Sequence, residues 1–489
     1  MSWKTAAEPI LTRMPVVARP DKHVSFRRKL AWTAGTLLLY FFLSNVYLFG
    51  ANQGSDVFGQ FRSILAGGQG TLLHLGIGPI VTASIVLQLL SGANLLGLDT
   101  SDPRDQILYQ GLQKLLVVLM IFLTGLPMVF AGGFLPANPQ VAQALGVPLV
   151  AVKWLIFAQI AVGGVLILFM DEIISKWGVG SGVGLFIVAG VSQKLVGGLV
   201  AVPGLAGQQN GILTFWVKII LGDIPLGAPL SMTWIQSLLF GGGSLLPLFT
   251  TLLIFAIVVY AESVRVEIPL SHSRVKGGRG RFPVKLIYAS VMPMIFVRAI
   301  QSNIQFIGRI LSSQLGETMP MWLGEYNSNG QVIDGLFYYV NPIQTPSQWM
   351  WWAGGVGGHE PWQIMLRVSI DLAIMLIGGA IFSIFWVETA DMGPEATANQ
   401  ILGSGMQIPG FRQNPQVVEK VLERYIPQVA VLGGALVGLL AVLANMLGTI
   451  GGVSGTSLLL TVSITYKLYE EIAEEQLMEM HPMMRQLFN

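Results

Sequence analysis

Ten stretches of mostly apolar residues recur along this 489-residue chain, each near the length that crosses a bilayer. A spanning helix needs about 20 such residues, because each adds about 1.5 Å across a hydrocarbon core about 30 Å thick. The stretches centre on 30–49, 72–90, 115–131, 154–170, 183–202, 245–260, 284–307, 370–386, 429–447 and 453–468. Only 11% of residues are charged, against about 25% in soluble domains. The expected class is an all-α polytopic membrane protein. The second, fifth and tenth stretches are rich in glycine or polar residues, so they are expected to face protein rather than lipid.

Lys and Arg placement sets the expected orientation. With ten spans, both termini share one side. That side takes 21 of the 28 lysines and arginines, concentrated in residues 1–29 and in the loops after spans six and eight. Both termini are therefore expected to be cytoplasmic. Nothing resembling a cleavage site follows the first apolar stretch, so it reads as a retained span.

One span breaks the rules. Gly76-Ile77-Gly78-Pro79 interrupts the second stretch near its start. Freed backbone groups find no water in hydrocarbon, so such breakers are tolerated only inside protein or beside a wet cavity. Just before it lies Asp56-Val57-Phe58-Gly59-Gln60-Phe61-Arg62-Ser63-Ile64-Leu65, too short and too charged to cross. Val57, Phe61, Ile64 and Leu65 fall on one helical face. Topology puts this stretch outside, either lying on lipid or folded back into the protein.

Other chemistries find little support. The chain has no cysteine, which excludes disulfides, thiolate catalysis and cysteine-ligated metals. No P-loop pattern is present. Gly452-Val453-Ser454-Gly455 matches an intramembrane serine-protease pattern, but no histidine falls in a later span. Asp171 and Glu172 are adjacent, so on a helix they diverge and form no acid/base pair. A secondary transporter with inverted repeats is the alternative reading. Its coupling ion needs a charge near the midplane, yet the few span charges, Lys194, Arg298 and Asp371, lie towards the outer side. Ile77 and Val81 beside the breaker read instead as an apolar constriction in a gated pore. The loop after span six, with Arg274, Lys276, Arg279 and Arg281 among three glycines, reads as a flexible basic hairpin. It suits an acidic partner such as RNA phosphates. Residues 309–367 form a long aromatic outer loop and receive no chemistry.

The stretch Gly70-Thr-Leu-Leu-His-Leu-Gly-Ile-Gly-Pro-Ile-Val-Thr-Ala-Ser-Ile-Val-Leu-Gln-Leu-Leu90 resembles the SecY family of protein-translocase channels. So do Asp171-Glu-Ile-Ile-Ser-Lys-Trp-Gly-Val-Gly-Ser-Gly-Val-Gly-Leu-Phe-Ile187, Glu262-Ser-Val-Arg-Val-Glu-Ile-Pro-Leu270, Phe282-Pro-Val-Lys-Leu-Ile-Tyr288, Gly410-Phe-Arg412, Arg424-Tyr-Ile-Pro427 and Thr461-Val-Ser-Ile464. The archaeal and eukaryotic branch fits best, and the ending Met480-His481-Pro482 is archaeal-like. The resemblance covers nearly the whole chain.

It implies a channel that moves unfolded polypeptides across the membrane and releases transmembrane segments sideways into lipid, without bond chemistry or cofactor. Its ten helices would form two pseudo-symmetric inverted five-helix halves: a tail, 1–29; the first half, 30–202, with a plug at 56–65; an external connection, 203–244; the second half, 245–468; and a tail, 469–489. The plug would comprise Asp56, Val57, Phe58, Phe61, Arg62, Ile64 and Leu65. A pore ring would comprise Ile77, Val81, Val183, Ile187, Ile295 and Leu460, and a lateral gate would include Thr82, Thr124 and Asn303. Thr124 stands where many eukaryotic relatives carry glutamine, which implies a weaker gate latch. Lys276 and Arg412 would engage the ribosome, supported by Arg274, Arg279 and Arg281. Implied partners are a SecE-like (gamma) subunit, a beta-type small subunit, the translating ribosome, signal sequences and lipid. The implied location is the plasma membrane.

Overall fold

A computed structural model describes residues 8–9, 11–20, 22, 24–52, 65–92, 95–98, 102–131, 134–200, 211–222, 238–239, 245–272, 279–286, 292–327, 331–353, 358–390, 392–403, 406–407 and 414–480. The first group of helices is α1 (Phe26–Ser44), α2 (Gly78–Gly92), α3 (Pro103–Phe130), α4 (Pro139–Leu145), α5 (Leu149–Trp177), α6 (Gly182–Val200) and α7 (Ile212–Leu221). Then come α8 (Leu245–Ser263), the strands β1 (Arg265–His272) and β2 (Arg279–Lys285), and α9 (Met292–Leu315). A short loop unit follows, with β3 (Glu325–Tyr326), β4 (Val332–Asp334) and α10 (Leu336–Val340). The chain continues through α11 (Pro361–Thr389), α12 (Pro394–Gly403), β5 (Met406–Gln407), α13 (Pro415–Glu423), α14 (Ile426–Leu447) and α15 (Gly455–Met480).

Among the described residues, six helical segments are long and apolar enough to cross a membrane: α3, α5, α6, α8 and the segments holding α11 and α14. The other four expected spans fall on α1, α2, α9 and α15. Each is helical but short or polar. α2 has 15 residues, about 22 Å of helix, because the irregular breaker precedes it. α9 buries Arg298, Gln301 and Gln305. α15 ends in Glu470, Glu471, Glu474 and Glu475, and α1 begins with Arg27-Arg28-Lys29.

Glycines set how closely the helices approach. In α14, Gly434 and Gly438 are four apart, the spacing that lets membrane helices touch backbone to backbone. A Cβ at Gly434 would strike the Gly379 carbonyl of α11, and one at Gly438 the Met375 carbonyl. Ser383 Oγ of α11 donates to the Ala430 carbonyl at 2.5 Å across the same crossing. On α5, Gly163 receives the Leu72 backbone and Gly164 the Ile121 side chain. One apolar core runs through most of the helices.

A second, smaller core holds Ile268 and Val284 of the β1–β2 hairpin against Val387, Ile401, Val418, Leu422 and Ile426. The hairpin is antiparallel, pairing Arg265 with Lys285 through to Ser271 with Arg279. β5 adds to its other edge, with His272 opposite Met406.

Candidate functional site

The broken stretch satisfies its own backbone. Gly76 sits at φ +54 and Gly70 at φ +65, a region that favours glycine. Ile77 N–H donates to the Leu65 carbonyl at 2.7 Å, and Gly76 N–H to the Leu73 carbonyl at 3.0 Å. Tyr40 of α1 donates its hydroxyl to the Ala66 carbonyl at 3.0 Å, while Leu72 N–H reaches the Val46 carbonyl at 2.8 Å. Irregular backbone here is thus enclosed in protein, as the breaker required. Ala66 is the described non-glycine residue with positive φ, at +49, so the point where the chain leaves 56–65 is strained. Of the expected plug residues, Leu65 is half-buried. Asp56, Val57, Phe58, Phe61, Arg62 and Ile64 lie outside the described residues.

The six aliphatic positions named from the resemblance all lie in or against the main apolar core. Ile77, Val81, Ile187, Ile295 and Leu460 are buried in the main apolar core, and Val183 packs against it. They come from the turn into α2, from α2, and from α6, α9 and α15. Asp171 explains how α6 is set in place. Its Oδ1 accepts the Val183 N–H at 2.8 Å, satisfying a donor that a helix N-terminus leaves orphaned. Glu172 points elsewhere, accepting from Lys114 at 2.8 Å and Lys176 at 2.7 Å. The two carboxylates therefore have separate structural tasks, as their adjacency implied.

The α6 face continues beyond Val183 and Ile187. Val183, Ile187, Gly190, Lys194 and Gly197 lie three or four residues apart, on one stripe. The last three line a cavity of about 790 Å³, together with Ala66, Gly67, Gly68, Gln69, Thr449 and Gly451. Small residues on the stripe leave that room. The composition showed glycine-rich helices, but only the fold shows which face the glycines occupy.

Thr82, Thr124 and Asn303 share a second cavity of about 40 Å³, with Leu65, His74, Pro79, Ala299 and Phe306. The structure therefore brings the three gate positions together, at the seam between α2, α3 and α9. Their hydroxyls do not bridge it. Thr82 Oγ1 donates to the Gly78 carbonyl at 2.9 Å and Thr124 Oγ1 to the Met120 carbonyl at 2.6 Å, each on its own helix. Short β-branched hydroxyls reach the i−4 carbonyl more easily than a neighbouring helix. His74 is a member of this seam that sequence reading did not select. It is buried, and its Nδ1 accepts the Gly70 N–H at 3.0 Å.

The family model for SecY matches residues 71–469. A further model, for the plug domain of Sec61p, matches residues 38–70. The chain belongs to the SecY family. The protein translocase subunit SecY of Haloarcula marismortui is 70% identical over 491 residues, with both chains covered in full. A solved structure of a protein conducting channel shares 36% identity and a TM-score of 0.78, covering 97% of this chain and 98% of its own. Sec61 in the canine ribosome–channel complex from the endoplasmic reticulum shares 36% identity and a TM-score of 0.75, at the same coverage. SecY proteins are channel subunits rather than enzymes. The Gly452–Gly455 protease-like pattern fits that: Ser454 Oγ lies 2.6 Å from Ser457 Oγ, in a buried turn. As a SecY-family chain with several apolar spans, the protein is a multi-pass membrane protein.

The basic positions divide between ordered and undescribed segments. Arg279 and Arg281 lie on β2, and Arg281 is exposed and paired with Glu267. Arg274, Lys276 and Arg412 lie outside the described residues. The strands feeding those two loops are nevertheless neighbours, since His272 of β1 opposes Met406 of β5. Loops 273–278 and 408–413 are thus attached to adjacent strands of one sheet, although they are far apart in sequence. The hairpin is rigid at its base, because Ile268 and Val284 are buried there and Lys285 Nζ contacts Glu470 at 2.5 Å.

Proposed function

We propose that this chain is the pore-forming subunit of a Sec channel in the plasma membrane. It passes unfolded polypeptides outward and releases apolar segments sideways into lipid. The observation that carries this reading is the cavity of about 790 Å³ bounded by the base of segment 56–65 and reached along the same α6 stripe as Val183 and Ile187, with the six aliphatic positions all in or against the main apolar core. Aliphatic groups form no fixed hydrogen bonds, so they part for any sequence and close without retaining it. They also resist wetting by ions. Segment 56–65 acts as the stopper, and α2 and α3 part from α9 and α11 to form the lateral exit. Ten helices in two inverted halves, 30–202 and 245–468, with both termini cytoplasmic, complete the layout. A SecE-like subunit and a beta-type subunit flank it.

A stalled translocating chain tests this directly. A photo-crosslinking residue at 77 or 460 is expected to trap it, while one at exposed Leu252 of α8 is not. Absence of adducts at both inner positions, with export intact, would remove Ile77 and Leu460 from the conducting path.

The two basic loops form one docking surface for the ribosome, which supports co-translational export. Adjacent cations reinforce each other against a phosphate backbone. Reversing Lys276 and Arg412 together is expected to weaken ribosome binding. It should also flatten the salt dependence by about 0.7–0.9 in log–log slope for each phosphate no longer neutralised. Binding titrations at several salt concentrations read both. An unchanged slope would remove these residues from the interface.

A further inference from the structure

Arg298 and Asp371 are the deepest described ion pair, with side chains 1% and 0% exposed. Arg298 Nη1 lies 3.3 Å from Asp371 Oδ1 and donates to Gln301 Oε1 at 2.7 Å. Its Nε donates to Thr456 Oγ1 at 3.1 Å. Gln301 Nε2 reaches Asp371 Oδ1 at 3.4 Å, and the Ile343 N–H reaches Oδ2 at 3.3 Å. One turn further along α9, Gln305 Nε2 donates to the Phe337 carbonyl at 2.9 Å.

These groups divide α9 into two faces. Arg298, Gln301 and Gln305 form a buried polar stripe joined to α11, α15 and α10. Ala299, Ser302, Asn303 and Phe306 line the gate cavity instead. On the gate side, no hydrogen bond links Thr82, Thr124 and Asn303 to one another among the described residues. The helix is tied on one side and only packed on the other. The tie also sits at a telling level. Arg298 is one turn from Ile295 on α9, and Thr456 is one turn from Leu460 on α15. The Arg298–Thr456 bond therefore joins the two helices about 5 Å along their axes from the constriction.

A buried ion pair is a poor source of net stability, because well-packed apolar residues often do as well. Its attested use is to specify register. We infer that Arg298 and Asp371 are positioning residues for the constriction. They fix the axial register of α9 against α15 and α11, hold Ile295 level with Leu460, and make α9 move with α11 and α15 when the gate parts. This rests on the reading of Ile295 and Leu460 as part of the pore.

The test uses the full-length chain in its channel complex, reconstituted in planar bilayers. The double variant Arg298→Met, Asp371→Leu replaces the pair with apolar groups of similar length. It is expected to keep its thermal stability yet raise idle ion conductance about tenfold, as register is lost without leaving a lone buried charge. Export of a reporter with a weakened signal sequence should rise with it. Arg298→Lys keeps the charge but not the fork of donors, and should fall between parent and double variant. Thr456→Val removes only the hydroxyl, so it serves if the double variant fails to fold, and should raise conductance several-fold. Parental conductance and stringency in the variants that fold, with nascent chains still crosslinking at position 460, would overturn the inference alone. Absence of that adduct in the parent would overturn the constriction reading and the inference with it.

Discussion

Ile187→Asp is expected to make the resting channel leak. Ile187 is fully buried, in the apolar core shared with Ile77, Val81, Ile295 and Leu460. An ionised carboxylate at the middle of a span costs about 2.5–3.5 kcal/mol on insertion scales. Here the charge has a cheaper escape than unfolding, because the cavity of about 790 Å³ begins one turn away at Gly190. Water drawn from that cavity solvates the carboxylate and bridges the constriction, which then no longer excludes ions by remaining dry. Single-channel recording of the reconstituted complex should show idle conductance at least about tenfold above the parent, the factor that about 1.4 kcal/mol of lost closed-state preference produces. Ile187→Leu conserves volume and character and is expected to stay tight. An Ile187→Asp channel that exports normally and does not leak would remove Ile187 from the constriction.

Gly76→Ala is expected to favour the open channel strongly. Gly76 adopts φ +54, and an L-residue in the left-handed region costs roughly 1–2 kcal/mol. The added Cβ would also strike the Leu65 carbonyl, the group that accepts the Ile77 N–H. Overpacking of this kind adds about 1–3 kcal/mol. The strain is local to the contact between α2 and the base of segment 56–65. Moving that base away relieves the clash, because the Cβ would strike backbone of that base at Leu65, Ala66 and Gly67. The clash is what displacement of the stopper relieves, so the closed arrangement loses about 1–3 kcal/mol relative to one with the stopper displaced. Export of a reporter with a defective signal sequence should rise well above the parental level, with normal substrates still exported. Unchanged stringency, in a chain that accumulates normally, would show that Leu65 and Gly76 do not part when the channel opens.

How much could be read before the fold was seen differs by element. α3, α5, α6, α8, α11 and α14 were legible because hydrocarbon demands a long apolar run, and a run is a local property. α9 was harder to read. Its polar stripe of Arg298, Gln301 and Gln305 looks costly until α11 and α15 supply partners. Arg298 and Asp371 were visible as span charges, but their pairing spans 73 positions and no spacing rule predicts it. The pore positions were named through family resemblance, since an isoleucine in a span looks like any other. Thr124, where the resemblance implied a weaker gate latch, has its hydroxyl engaged with Met120 of its own helix. The loop after span six was expected to be a flexible hairpin. The described strands add an anchored base, with β5 paired beside it, while loop 273–278 lies outside the described residues.

Sequence alone determined that this chain lives in a membrane, crosses it many times, and carries one segment too irregular for lipid. Those are consequences of composition and of the period of apolar residues. Each residue makes the same demand wherever its helix ends up. Tertiary structure alone decided what fills the irregular segment's surroundings, which face of α6 opens onto a cavity, and that β5 pairs beside the β1–β2 hairpin. It also decided that Arg298 finds Asp371. These depend on distances between helices far apart in sequence, and glycine contacts such as Gly379 with Gly434 set those distances to within the size of a methyl group.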